Sequence, residues 1–423
     1  MPLFPHSVPQ ILSISSVATT RSSTANQHIT QGHTQSPNMA DSAPSSAALA
    51  DGASPHPAPP PDHDLLPKLI PQFADRHLVY PLMEFLGNSE DQDPNEINKL
   101  KLDLLRETNM ADFCANIDMQ IRGEDEPRPE WTKKREQVLQ KNEELDEATK
   151  QLMELMENPD VTNNLRSDKI ANMNYLKETH GVTDQQVSQL YEYGQFLYSM
   201  GDYDSASQHL VVYNILAPDN EQTTSALWGR LACDILLLQW EEAVKTIENI
   251  RESLQNRPFA NAVSTLHARV RLLHWALFPL FHHEVGREKL VDLFYTQDFI
   301  NSLQTGSPWL IRYLAAAVIS NRNRASMNTG KNAIGGSTFQ KQMKDLIRVV
   351  RQEGYEYSDP VTDFIRALYI DFDFEEAQKK LGEAEVVLKS DFFTNTCVDD
   401  FVEAARHLIS ESYCKIHQRI DIK

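Results

Sequence analysis

LYEYGQFLYSMGDYDSASQHLVVYNILAP, residues 190–218, decides the fold. Gly194, Leu197, Gly201, Tyr203, Ala206, Leu210 and Pro218 fall at the spacing of two paired helices, with small residues where the helices cross. Thr183 and Gln186, just upstream, have the spacing of a capping box and place the start of the first helix.

The central motif, aromatic-x-x-Ala-x-x-x-aliphatic, occurs as Tyr203, Ala206, Leu210, again as Trp240, Ala243, Ile247, and again as Phe374, Ala377, Leu381. The alanine lets two helices approach closely while the larger residues lock either side. Each such unit leaves an apolar face open for the next, so the units must stack. The expected fold is all-α, a right-handed helical-repeat, tetratricopeptide-like solenoid.

Working outward, Ile97, Leu100, Leu104 and Leu105 lie at helical spacing within 95–121, and the acidic, proline-broken segment Gly123 to Pro129 reads as a linker. Trp131 to Glu157 reads as one long helix stopped by Asn158-Pro159. Its Trp131, Val138, Leu145 and Leu152 repeat every seven residues, a narrow seam for one partner helix. The seam is short, so packing within its own domain is the expectation. Residues 1–61 hold ten of the 22 prolines and read as an uncollapsed tail, with Met39 a second plausible start. A serine-rich, acid-free stretch up to Asp41 with one arginine fits a tail better than a transit peptide. The expected divisions are a tail at 1–61, an N-terminal helical region at 62–122, and a linker with the long helix at 123–160. Helical repeats then occupy 161–330 and a further helical part 331–423. Near the end, Ile420-Asp421-Ile422 begins to alternate as a strand would.

The chain is acidic, with 60 Asp+Glu against 40 Lys+Arg, so it repels phosphate backbones on average and any nucleic-acid contact needs a local patch. Cys114, Cys233, Cys397 and Cys414 form no CxxC pair and have no histidines at zinc spacing, which fits a reducing cytosol. The longest apolar run, Leu272 to Phe281, is too short to span a bilayer and contains His274 and Pro279. No membrane partner, cofactor or metal is expected.

Catalytic templates fail one by one. His282-His283-Glu284 opens like a zincin motif, but Arg287 stands where the second ligand belongs. Gly330-Lys331 and Gly335-Gly336-Ser337-Thr338 evoke a phosphate loop with the lysine on the wrong side and no strand leading in. His274-Trp275 reads as a packed core pair. A non-enzyme is expected, with no catalytic residue.

One electrostatic feature stands out. Residues 322–351 carry Arg322, Arg324, Lys331, Lys341, Lys344, Arg348 and Arg351 against Asp345 alone. At about 100° per residue Lys341, Lys344, Arg348 and Arg351 share one helix face, with Phe339, Met343, Leu346, Ile347 and Val350 opposite. Such a row is either a solvated back face or a stripe that touches RNA or the ribosome.

Asp75-Arg76-His77-Leu78-Val79-Tyr80-Pro81-Leu82 followed by Glu84-Phe85-Leu86 resembles the opening of the E-subunit family of eukaryotic translation initiation factor 3. So do Lys101 to Leu105 with Thr108-Asn109-Met110, Leu227-Trp228-Gly229, Leu273-His274-Trp275, Ile311 to Leu314, Asp371 to Phe374 and Cys414 to Gln418. The resemblance runs in order over about residues 64–423. It implies a cytoplasmic, non-catalytic scaffold subunit that joins other initiation factor 3 subunits. Such a subunit supports small-ribosomal-subunit binding and recruitment of mRNA and initiator tRNA. It implies a helical-repeat arm leading into a PCI helical subdomain. The family's winged helix would lie beyond Lys423, with Ile420 and Ile422 as its first strand, and docking through that module would then be weakened. Asp75, Arg76, His77, Tyr80 and Phe85 become candidate subunit contacts. The alternatives are a PCI scaffold subunit of a proteasome lid or signalosome, or a direct RNA-binding protein using the basic face. Two local departures are expected: a longer loop around Asn323 to Ser337, and a kink or break at Pro279, since a mid-helix proline costs about 3 kcal/mol.

Overall fold

The computed structural model describes residues 70–88, 94–166, 168–218, 220–256, 261–328 and 334–417, without the side chains of 323–328 and 334–337. The tail at 1–61, the alternating end at Ile420 to Ile422 and residues 329–333 of the expected loop lie outside these. The flanks of that loop belong to helices instead. Every regular element described is helical. After a 3-10 turn at Ile70–Gln72 come α1 (Arg76–Gly87), α2 (Pro94–Leu105), α3 (Ala111–Arg122), α4 (Pro129–Glu157), α5 (Pro159–Thr162) and α6 (Lys169–His180). The repeats follow as α7 (Asp184–Met200), α8 (Tyr203–Leu216), α9 (Glu221–Leu236), α10 (Trp240–Asn256) and α11 (Ala262–His282). Then come α12 (Gly286–Tyr295), α13 (Gln297–Gly306), α14 (Ile311–Asn328), α15 (Ile334–Glu353), α16 (Pro360–Arg366), α17 (Phe374–Lys389) and α18 (Val398–Ile416).

Sequence chemistry sets the ends. Thr183 caps α7 through Gln186 N–H while its own N–H donates to Gln186 Oε1 at 2.9 Å, the expected reciprocal box. Asn158 both ends α4 and caps α5, accepting from Asp160 N–H at 3.0 Å. Along α4 the seam residues Trp131, Val138, Leu145 and Leu152 are buried. The seam's partners lie within the chain, because α4 packs on α3 and α7, and Tyr193 donates to Asn142 or Asp146 at 3.3 Å.

From α7 to α11 each helix packs on the next. Ala206, Ala243 and Ala377 are fully buried at their crossings. At the first crossing a Cβ on Gly194 would meet the Leu210 side chain at 3.0 Å, tighter than ordinary contact, so a larger residue there would require Leu210 to shift.

A second regularity lies five residues before each alanine. Gly201, Leu238 and Phe372 all adopt left-handed backbone, at φ 100°, 60° and 56°. The left-handed residue ends one helix and reverses the chain into the next. The following N–H closes the turn: Asp202 onto Leu197 O at 3.1 Å, Gln239 onto Asp234 O at 2.8 Å, Asp373 onto Ala367 O at 2.9 Å. The last bond spans one residue more because a π-helical turn, Ala367–Asp371, inserts it.

Beyond α13 the architecture changes. Helices α12, α15, α16 and α18 all pack around α14. At its start Arg312, 1% exposed, donates from Nε to Asp359 at 2.6 Å and lies 3.6 Å from Asp391. Tyr313 and Tyr357 hydroxyls donate to Asp391 and Asp359 at 2.8 and 3.0 Å. Asp359 also caps α16, and Asp391 accepts from the backbone of Phe393 and Thr394. One cation and two carboxylates are thus buried together with their hydrogen bonds satisfied, which is what makes the cluster tolerable. Pro279 does not break α11. The helix runs one more turn and stops at His282, where His283 N–H reaches Pro279 O at 2.8 Å; the bond that proline cannot make, its N–H to Trp275 O, is lost where only the last turn remains.

Candidate functional site

Lys341, Lys344, Arg348 and Arg351 are all exposed on α15, while Met343, Leu346, Val349 and Val350 are buried against the bundle. Amphipathicity alone enforces this: the apolar face is spent on α14 and α16, so the cations must face water. Arg348 pairs with Asp345 at 3.3 Å; among the described residues the other three make no ion pair. Arg322 is not part of the row. It donates to Glu411 at 2.8 Å and lies against the Phe339 ring. The side chains of Arg324 and Lys331 lie outside the described residues.

The N-terminal stretch lies in a different setting. Asp75 accepts from His77 N–H at 3.0 Å and from the Tyr198 hydroxyl at 3.1 Å. Burial pushes its carboxyl up to about 7. His77 is fully buried and stacked on Tyr198 at 4.8 Å, and burial drives its pKa well down, so the ring is neutral. Tyr80 is buried beneath Lys101 and edge-on to Phe113. Arg76 pairs with Glu107 at 2.6 Å, and half-buried Phe85 meets Phe392 edge-on. Most of this polar run therefore fastens α1 to the repeats. Arg76 and Phe85 keep an accessible edge. The turn before α1 is fastened too. Trp275 Nε1–H donates to Phe73 O at 2.9 Å, and Phe73 stacks on His274 at 4.2 Å.

His274 is a satisfied core histidine. Trp309 Nε1–H donates to its Nε2 at 3.0 Å, which leaves Nδ1 to donate to Val270 O at 2.7 Å. Burial lowers its pKa to about 4. His282 bonds Phe278 O and stacks on Trp240, and His283 Nδ1 accepts from Val285 N–H. A cleft of about 230 Å³ opens beside them, lined also by Glu284, Arg287 and Cys397. Arg287 is held by Asp400 at 2.8 Å, and burial pushes the Cys397 thiol to about 12, far from a reactive thiolate. Among the described residues no group of acidic, histidine and cysteine side chains is placed to hold a metal ion. Gly335 to Thr338 lie at the start of α15, not in a strand-to-helix loop. No helix among the described residues is long and apolar enough to cross a membrane. The buried cluster at Arg312 escaped the sequence reading; only the charged residue inside the apolar run Ile311 to Ile319 signalled it.

Residues 64–197 match a family model described as eIF3 subunit 6 N terminal domain. The chain is 51% identical over 389 residues to the E subunit of eukaryotic translation initiation factor 3 from Aspergillus fumigatus, covering 91% of this chain and 84% of that protein. To the corresponding protein of Aspergillus clavatus it is 52% identical over 390 residues, and to that of Botryotinia fuckeliana 50% over 391, with the same coverage.

Proposed function

The chain belongs to the E-subunit family of eukaryotic translation initiation factor 3, and on that premise we propose that it is a non-catalytic scaffold subunit of that complex. Identity of about half over nine-tenths of the chain carries the reading. It favours the initiation factor over a proteasome-lid or signalosome component. The partners are other subunits of the factor, met in part along the Arg76 and Phe85 edge of α1, and the setting is the cytoplasm. The divisions at 62–122, 123–160, 161–330 and 331–423 belong to the same proposal, and limited proteolysis maps them.

The finer part of the proposal is a contact with the small ribosomal subunit through the basic face of α15. Four exposed cations in one row on an acidic chain support it. Reversing Lys341, Lys344, Arg348 and Arg351 to Glu leaves the urea melt in place, since the apolar face is untouched. The reversal weakens association with small ribosomal subunits and flattens its dependence on salt. Unchanged association at low salt reduces the row to a solvated helix back. Pull-down of the other subunits by the reversed chain separates this contact from the scaffold role, which keeps full recovery.

A further inference from the structure

The row on α15 does not stop at Arg351. The steps from Lys341 to Lys344, Arg348 and Arg351 are three, four and three residues, and the next step of four reaches Tyr355. The helix ends at Glu353, but Tyr357 N–H donates to Glu353 O at 3.0 Å. That bond continues the helical turn through 354–356 and keeps Tyr355 on the cationic face. From Lys341 to Tyr355 the face runs about 21 Å along the axis.

Tyr355 is 93% exposed, the most exposed large apolar side chain among the described residues. Its turn is nevertheless fixed. Arg366 donates to Gly354 O at 3.3 Å from below. Tyr357, two residues on, is anchored to Asp359 in the buried cluster. The chain therefore presents a bare aromatic ring on a rigid mount at the end of four cations. The adjoining Glu356 is exposed, and Glu353, two residues back, is engaged by Gln304 Nε2 at 2.9 Å.

We propose that this face holds single-stranded RNA, with the cations along the backbone and one base stacked on Tyr355. Cations alone do not distinguish strand number, but a ring free on its faces does, because only an unpaired base can leave its stack to cover it. The inference rests on reading the α15 face as a nucleic-acid contact and adds to it the kind of strand.

The test uses the full chain, a labelled oligouridine and an RNA hairpin of matched phosphate number whose loop is a non-nucleotide linker, so that every base is paired, followed by fluorescence anisotropy across a salt series. Tyr355→Ala weakens oligouridine binding about tenfold, the lower part of what one stacked base contributes, and Tyr355→Phe restores it. Hairpin binding is unmoved by either. Tyr355→Ala keeps the salt slope, since it neutralises no phosphate, whereas the four-residue reversal to Glu flattens it. Oligouridine binding that is equal in Tyr355→Ala and wild type overturns the stacked base, as does a hairpin weakened by the same factor. If the reversal still weakens binding in that case, the cationic face survives alone. If the reversal also changes nothing, both readings fall.

Discussion

The α7–α8 hairpin and the bundle around α14 are locked by opposite means. In the hairpin, Gly194 and Ala206 let two backbones approach until Leu210 fills the gap, and the crossing is apolar. In the bundle, Arg312 ties together Asp359 and Asp391, 47 and 79 positions later, with all three buried. Close packing is forgiving in chemistry and strict in volume. A buried ion cluster is the reverse: it tolerates no loss of charge balance, and its removal leaves unpaired groups without water.

The sharpest break of this contrast is Arg312→Met, which strands two carboxylates. We expect a loss of about 3–5 kcal/mol in urea melts. Adding Asp359→Asn and Asp391→Asn should recover much of it, and a triple variant as weak as the single one refutes the electrostatic account. Ala206→Leu and Ala243→Leu attack the packed regime and should each cost about 1–3 kcal/mol. Harmless leucines there remove the basis for close crossing.

A half-buried carboxylate of the N-terminal side sharpens the comparison through pH. Asp75 is bonded to neutral donors, and its folded pKa is about 7 against an ordinary 3.8. Between those values the folded chain holds a proton that the unfolded chain has released, so this group's contribution to stability falls as pH rises through the window. His77, buried neutral, works in the opposite direction below its ordinary 6.5. The difference between Asp75→Asn and wild type isolates Asp75: it should move in favour of Asn from about pH 4 to about 7, and a flat difference rejects the shift.

The smallest effect concerns the left-handed corners. Phe372 is 56% exposed and gains little packing for a backbone that costs an L-residue about 1–2 kcal/mol. Glycine's unfolded-state freedom returns about 0.5–1 kcal/mol of that, so Phe372→Gly should stabilise by about 0.5 kcal/mol. Leu238 is half-buried, so Leu238→Gly should bring no gain. Equal shifts at both corners would erase the distinction.

The repeats were legible because their contacts run between sequence neighbours, so Tyr203, Ala206 and Leu210 state the crossing locally. The α4 seam and the Thr183 cap were legible for the same reason. The corners were not, since a leucine and a phenylalanine at 238 and 372 conceal a backbone that glycine announces at 201. Nor was the Arg312 cluster, whose members are joined only by the fold. The polar run from Asp75 to Tyr80 read as surface because charge and aromaticity suit an interface and an internal clasp equally. Only Tyr198 and its hydroxyl, more than a hundred residues away, decide between them. The α15 face was legible as an amphipathic helix, but Tyr355 fell outside a row defined by charge.

The fastening of Phe73 to Trp275 has an optical consequence. Trp275 sits edge-on to Trp228 at 5.1 Å, and the Arg271 guanidinium lies 3.8 Å from the centre of the Trp228 ring. Two indoles in fixed relative orientation beside a cation form a chromophore pair whose near-ultraviolet circular dichroism depends on rigid packing, not on helix content. Release of the N-terminal turn would free the Trp275 indole N–H and alter that band while the far-ultraviolet helical signal stays put. The chain thus carries its own spectroscopic gauge of whether α1 is seated.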